Sequence, residues 1–526
     1  MARCLLIASL LAGFVASAYA EQVLRRGNAV EPETLDPHKA EGTNTSHILR
    51  DIYEGLTAEA ADGAIIPGAA HSWAVSEDGL TWRFELRQEG RWSNGDPVTA
   101  DDFVRGLRRS VDPATGSNYS VVLTPLVNAP AIISGELPPE ALGVSAPDSH
   151  TLILQLRSPT PYLLGLLTHS ATYPIHGPSL DQHGERFARP GHLISNGAFE
   201  LDDWVVQSHL SLRRNPHYWD AEAVRLDRVI YYPTENQAAE LKRYRAGELD
   251  WTDVIPKNQI RWLREHLADE LHISPYLGTY YYGLNLEREP FKDNPDLRLA
   301  LSMALDRNTL TERITAVGEL PAYSWVPPGV ANYEAQPPEW AQWPRERQLA
   351  EARRLYQHAG YGPENPLQVE LRYNTQQDHK KVAVTAAFMW REALGVEVTL
   401  INEEWKVFLQ NRRFGKVTEI FRGAWISDYN DAFSFAELLL GGNDLNDTGY
   451  DNPEYNALIR AAAAEPDPAQ RRAMLEQAER VMLADQPLIP VYFYVNARLV
   501  KPWVKGWQDN IMDHHSSRHL WIEGRP

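Results

Sequence analysis

The sequence predicts an α/β protein of several interleaved domains, on three observations. Strand-like and helix-like patterns are mixed along the whole chain. No repeat, low-complexity tract or flexible linker separates them, since the 36 Pro and 33 Gly are scattered as turn punctuation. The 526 residues exceed what one ordinary core holds and correspond to about three domains.

In chain order, the first twenty residues read as a cleavable leader. Arg3 is a short basic start, Leu5 to Val15 a mostly apolar stretch, and Ala18-Tyr19-Ala20 a small-x-small cleavage site, which places the cut after Ala20. Leu11-Ala12-Gly13 would open a lipoprotein signal, but Phe14 stands where the lipidated cysteine must be. The apolar stretch is too short to span a bilayer and no later one approaches the required length. The expectation is an exported chain without a membrane anchor.

The only cysteine, Cys4, leaves with the leader, so the mature chain has no disulfide, thiolate ligand or cysteine nucleophile. A chain of this size buries enough surface to fold without disulfides. Loss of Arg3 leaves 50 basic against 70 acidic residues, a net charge of −20. With no basic run, that balance excludes nucleic acid as a partner. The 16 Trp and 23 Tyr suit either ligand-facing walls or large core residues.

Strands are expected at Leu80–Leu86, Thr151–Leu156, Val396–Ile401 and Leu488–Val495, which hold β-branched or aromatic residues. Helices are expected at Asp101–Arg109, Asp296–Leu305, Glu346–Ala359, Lys381–Leu394 and Ala469–Ala484, from three- and four-residue apolar spacing. Thr99 followed by Asp102 is a capping-box variant for the first of these.

Residues 396–431 carry the most chemistry. A strand to Ile401, a helix Glu404–Arg413 and a strand Val417–Arg422 lead into a loop, Gly423 to Asn430. Ligands of α/β sheets bind beyond the carboxyl ends of strands, where that loop belongs. It offers a cation, Arg422, an indole, Trp425, and an anion, Asp428, with Trp405, Arg412 and Arg413 on the preceding helix. A carboxylate for an ammonium and a guanidinium for a carboxylate would clamp both ends of a short peptide. An internal Asp428–Arg422 salt bridge flanked by core Trp fits the same residues.

Ordered matches run along nearly the whole mature chain. They are Leu35-Asp36-Pro37-His38 with Glu41-Gly42, the run Arg91 to Phe103 (RWSNGDPVTADDF), Asn215-Pro216-His217-Tyr218-Trp219-Asp220, and Tyr276 to Tyr282. Leu320-Pro321-Ala322-Tyr323-Ser324, Tyr373-Asn374-Thr375 and the run Tyr492 to Val504 complete the set. On these residues the chain resembles the periplasmic oligopeptide-binding proteins of peptide ABC transporters, the oligopeptide and murein-peptide branch of solute-binding protein family 5.

The resemblance implies a two-lobed periplasmic binding protein, type II-like, with an extra inserted domain. Residues 21–52, 177–277 and 495–526 would form the first lobe, 53–176 the inserted domain and 278–494 the second lobe. It implies a monomeric, periplasmic receptor that takes a short peptide, closes about a hinge, and serves an inner-membrane ABC permease. No cofactor, metal or catalysis is implied. Asp428 would accept the ligand ammonium, and Arg422 and Arg412 would meet its carboxylate or acidic groups, with His379 serving longer peptides. Glu41 and Thr43 would lie on one segment pairing with the peptide backbone, and Gly423 to Ile426 on the other. Trp405 and Trp425 would wall side-chain pockets, as would Tyr119, Tyr276, Tyr281 and His169. An extended peptide held as an added strand satisfies its main chain whatever its sequence.

The chain departs from the family in three places. Gly278 and Ile426 stand where relatives carry a cysteine pair, and Thr315 where they carry a lysine that helps hold longer ligands. Asp253-Val254-Ile255 replaces a polar Tyr-Asn-Asn segment, which keeps a murein tripeptide open as an alternative cargo. A hydrolase is disfavoured by the absence of a Gly-x-Ser-x-Gly or His-Glu-x-x-His motif. His514, His515 and His519 raise a metal cargo, with His515 and His519 spaced to share a helix face, but only Asp513 joins them. An oligosaccharide could stack on Trp, yet gains nothing from the Asp428 and Arg422 charges.

Overall fold

The computed structural model describes residues 21–526 apart from 415–417 and 444. The expected leader, with Cys4, and the Val417 start of one expected strand lie outside the described residues.

Two main sheets organise the chain. In the first, Val23–Asn28 runs parallel to Arg228–Pro233, which continues antiparallel to His209–Arg214 and Phe199–Val205. The second has six strands in the order Leu320–Pro321, Leu488–Leu499, Leu271–Leu284, Ile420–Ile426, Gln368–Asn374, Glu397–Glu403. A smaller antiparallel sheet, Ala70–Val75, Thr81–Leu86, Thr151–Gln155 and Val144–Asp148, lies within 53–176, the stretch expected as an insertion. That stretch is not packed apart. One continuous core takes Phe84, Trp92, Phe103 and Leu152 from it, and Leu24, Leu212 and Tyr231 from the first sheet.

The expected helices form, with ends shifted by a few residues: Ala100–Val111, Pro295–Ala304, Arg345–His358, Gln377–Leu394 and Pro468–Asp485. Both halves of the capping box are made at the first, with Asp102 accepting from the Thr99 backbone at 2.8 Å. That reciprocal pair satisfies two otherwise orphaned amides. The strand expected to stop at Val495 runs on to Leu499, because Asn496–Leu499 pair with Leu271–Ser274.

Leu271–Leu284 and Leu488–Leu499 are long enough to belong to both bodies. Their far ends meet the first one, where Val500 bridges Trp251 and Trp251 bridges Arg26. Their near ends are the centre of the six-stranded sheet, and the register slips between Pro275 and Thr279. Strand alternation decides which core each tyrosine joins. Tyr280 and Tyr282 face a core with Leu301, Trp390 and Val491, whereas Tyr281 faces one with Trp325, Phe435 and Met482.

Glycines opposite aromatic rings make the centre of that sheet close-packed. Gly283 pairs with Phe421 and Gly423 with Tyr281, and at both a Cβ would overlap the partner ring. The Gly283→Val variant should therefore lose about 1–3 kcal/mol of stability, the usual cost of overpacking. Chemical denaturation of the ligand-free protein, followed by tryptophan fluorescence, reads that loss.

Candidate functional site

The strand expected to end at Arg422 continues to Ile426, so the turn begins at Ser427 and not at Gly423. Gly423 and Ala424 read as turn residues in sequence, yet Gly423 is small because Tyr281 lies across it. Residues Gly278 to Leu284 pair with Ile426 to Ile420 on one edge. On the opposite edge only Ile420 and Phe421 have strand partners, Leu371 and Arg372. Among the described residues, no strand covers that edge from Arg422 onward. Gly278 and Ile426 are direct cross-strand partners, and the Ile426 side chain lies over the space a Gly278 Cβ would need.

Arg422 is 8 % exposed and donates from Nη2 to the Tyr494 hydroxyl at 2.9 Å, with its guanidinium 4.9 Å from the Tyr280 ring centre. Among the described residues, no carboxylate pairs with it. His379 belongs to the same cluster, its ring 5.7 Å from that of Tyr280 and its buried Nδ1 without a hydrogen-bond partner. Burial, aided by the Arg422 charge, lowers His379 to about 3, so its ring is neutral. The internal Asp428–Arg422 bridge is not formed.

Asp428 stands after the strand end, beside a cavity of about 330 Å³. Ile426 and Ser427 line it from the same turn, Thr43, Ser46 and Arg50 from the helix Thr43–Ile52, and Tyr119, His169, Tyr276, Met512 and His514 complete the wall. Asp428 opens to solvent in the cleft, yet protein crowds it enough for lost hydration to raise its pKa above the usual carboxylate value. His514 and Arg50 pull the other way without overcoming that loss. Both are committed elsewhere. Glu59 accepts from His514 Nδ1 at 2.8 Å and from Arg50 Nε at 3.2 Å. Burial would raise Glu59, but its contacts with His514 and Arg50 hold it at about 2. Asp428 therefore has no ion-pair partner among the described residues.

The turn carrying Asp428 is braced on both sides. Ser427 Oγ donates to the Tyr429 carbonyl at 2.6 Å, and Arg471 holds Asp431 through two bonds of 2.7 and 2.8 Å. Tyr162, from the inserted stretch, stacks on Tyr429 with ring centres 4.8 Å apart, and on Phe433 at 5.2 Å.

The remaining expected site residues separate. Tyr119 and His169 meet, ring centres 4.9 Å apart, and Tyr276 lines the same cavity. The His169 Nδ1 accepts from the Ala171 amide at 3.1 Å, and burial lowers its pKa to about 3. Glu41 is exposed near them and accepts from Asn118. Two assignments change. Tyr281 is no pocket wall but core, packed edge-on to Trp325 at 5.0 Å, because odd positions of its strand face away from Arg422. Arg412 is ion-paired with Asp447 at 2.6 Å, both side chains largely buried, so a local carboxylate already satisfies it. Trp405 is exposed and stacks on Phe408, while Trp425 turns its indole N–H to Ser434 at 3.1 Å.

The C-terminal histidines do not share a helix face. His515 stacks on Trp507 at 3.9 Å, His519 ends a single 3-10 turn, and His514 pairs with Glu59. Among the described residues, no three His, Cys, Asp or Glu side chains converge as metal ligands, and no helix is long and apolar enough to cross a membrane. Ser46, Arg50, Met512 and His514 are cavity residues that sequence reasoning missed. None lies in a motif, and the pairing of His514 with Glu59 spans 455 residues.

Burial works against the Arg422 charge, but Tyr494, Tyr280 and Tyr492 outweigh it and raise the pKa, so the charge stands without a carboxylate. In the ligand-free protein, Arg422→Met should leave stability unchanged or raise it by about 1–2 kcal/mol. Thermal unfolding of the two proteins side by side measures the sign.

Comparison with known proteins gives the family. The family model for bacterial extracellular solute-binding proteins, family 5 Middle, matches residues 64–447. The periplasmic oligopeptide-binding protein OppA of Escherichia coli is 39% identical over 98% of this chain and 97% of its own length. Among solved structures, the unliganded open form of the periplasmic murein tripeptide binding protein MppA is 38% identical, with a TM-score of 0.88 over 96% of this chain and 98% of that one. Haemophilus influenzae OppA in complex with RPPGFSPFR is 36% identical, with a TM-score of 0.77 over 96% and 99%. The chain belongs to the bacterial extracellular solute-binding proteins of family 5, and its fold is their two-lobed α/β fold.

Proposed function

We propose that this family 5 solute-binding protein is a periplasmic receptor that captures short peptides by their backbone and terminal charges and delivers them to an ABC permease, without catalysing a reaction. One observation carries the reading. Asp428 and Arg422, of opposite sign and without ion-pair partners among the described residues, flank a strand edge that no other strand covers.

A peptide laid along that edge as an added strand would have its main chain satisfied by Gly423 to Ile426, with Glu41 and Thr43 on the other side. Its ammonium would meet Asp428 and its carboxylate Arg422. Six residue steps of strand and turn separate the two charges, at most about 20 Å. Less the reach of both side chains, that span suits an extended peptide of about three or four residues. The relatives named for oligopeptide binding, one of them solved with a peptide, support the same reading.

The receptor works by closing. At nearly equal identity the chain overlays better on an unliganded open form than on a peptide complex, 0.88 against 0.77, which supports an open state here. We assign 21–52, 177–277 and 495–526 to the first lobe, 278–494 to the second and 53–176 to the insertion, with closure about the slipped register at Pro275–Thr279. The likeness to a murein tripeptide binding protein favours a second cargo, a murein tripeptide.

Calorimetric titration of refolded, cargo-free protein tests the reading with free tripeptides, the same peptides N-acetylated, and a murein tripeptide. Free peptides should bind and acetylated ones should not. Asp428→Asn should weaken free peptides by about 2–5 kcal/mol, the scale of losing one partner of a desolvated charge pair. Unchanged affinity in that variant would sink the assignment of the ammonium site.

Acidity adds a signed check. Asp428 has a raised pKa when empty, and only its ionised form attracts an ammonium. Binding should therefore release a proton as pH falls toward that value, and affinity should drop at a higher pH than an ordinary carboxylate would require. Titrations from pH 7 to 4 should show the drop in the natural protein and lose it in Asp428→Asn.

A further inference from the structure

Two stretches that line the cavity beside Asp428 are tied to one buried arginine, Arg498, on the strand Leu488–Leu499. Its Nε donates to Asp513 Oδ1 at 3.0 Å, and Asp513 stands between the cavity residues Met512 and His514. Its Nη1 donates to the Asp253 carbonyl at 2.9 Å and to Asp253 Oδ1 at 3.1 Å. The other carboxylate oxygen of Asp253 accepts from Asn44 Nδ2 at 2.7 Å and from the Ala29 amide at 3.3 Å. The Asp253 amide in turn donates to Glu240 Oε1 at 2.7 Å, which fixes the main chain at this point.

The helix Thr43–Ile52 has little else to hold its entry. Gly42 stands at the N-cap with a φ of 83°, no side chain caps the helix, and its first turn has no acidic residue. Elsewhere a Ser, Thr, Asp or Asn at that position fixes the first turn. Among the described residues, the bond to Asp253 is the only side-chain hydrogen bond made by Thr43, Asn44 or Thr45. Ala40, Gly42, Thr43 and Ser46 line the cavity, so this entry is a cavity wall without a local clamp. The residue that departs from the family's Tyr-Asn-Asn segment is therefore turned to protein, with both its oxygens engaged.

We infer that Asp253 is a positioning residue for the ligand: held by Arg498, it grips Asn44 and so presets the Gly42–Thr43 segment for the peptide main chain. This rests on the peptide reading above, in which Thr43 pairs with that main chain. Order already present in the empty protein is not lost again on binding. Main-chain pairing is common to all peptides, so the gain is shared whatever their side chains or length. Asn44 is half-buried, and its replacement disturbs no buried charge.

The test is calorimetry with tri-alanine, tetra-alanine and Ala-Lys-Ala. Asn44→Ala should weaken all three by the same factor, about tenfold, the scale of one hydrogen bond to a charged group. Asn44→Asp, which sets two carboxylates face to face, should weaken them at least as much. Adding Asp253→Asn to it should restore affinity to within about threefold, because the new amide can donate to the new carboxylate. Amide hydrogen exchange at 43–46 should quicken in empty Asn44→Ala and slow again with tri-alanine bound, a response that a purely stabilising role would not give. Unchanged affinity in Asn44→Ala, a weakening confined to one peptide, or a double variant no tighter than Asn44→Asp would overturn the inference. Failure of the natural protein to bind any of these peptides would overturn the peptide reading itself.

Discussion

The antiparallel ladder between Leu271–Leu284 and Leu488–Leu499 is the constraint about which the molecule is arranged. It joins the six-stranded sheet to the Val500–Trp251–Arg26 bridges of the first sheet, and its slip between Pro275 and Thr279 holds Tyr276, which lines the cavity. A break in a ladder leaves main-chain groups that need other partners. The Leu277 amide donates to the Ile511 carbonyl, and its carbonyl accepts from the Ser427 amide. Those two bonds attach the segment holding Met512 and His514, and the turn holding Asp428, to the same point. Tyr276, at the slip, is a cavity wall for the same reason.

Buried cations find partners of two kinds. Arg298 and Arg307 are held by main-chain carbonyls, while others are matched by carboxylates. Arg26 bonds Ser517 and the His515 carbonyl beside Asp51, Arg498 holds Asp253 and Asp513, and Arg518 holds Glu54. Beside the cavity, Arg50 and His514 both pair with Glu59. Arg422 is desolvated against tyrosines without a counter-ion among the described residues. Groups fixed in advance lower the ordering cost of association.

Local signals were readable where the physics is local. The helix at Ala100–Val111 announced itself through Thr99 and Asp102, and the amphipathic helices were limited only by fraying ends. The residue types at 422 and 428 were readable too. Their separation was not, because Tyr494 holds Arg422 from 72 residues away in sequence. Gly423 misled for a related reason: a glycine signals a turn, but a neighbouring strand's aromatic ring demands the same small residue. Arg412 depended on Asp447, and Tyr281 on strand parity across a sheet whose order the sequence does not reveal.

The Tyr162 stack bears on how separable the parts of this chain are. Residues 53–176 look like an accessory that could be trimmed to leave a smaller two-lobed protein. Tyr162 nevertheless covers Tyr429 and Phe433, and this stretch shares its core with the first sheet. Excision would strip the turn that carries Asp428 and open an apolar interior to water. A shorter descendant would need a rebuilt turn and a resurfaced core together, a coordinated change that gradual trimming does not supply. Length, in this architecture, is tied to the chemistry of one carboxylate.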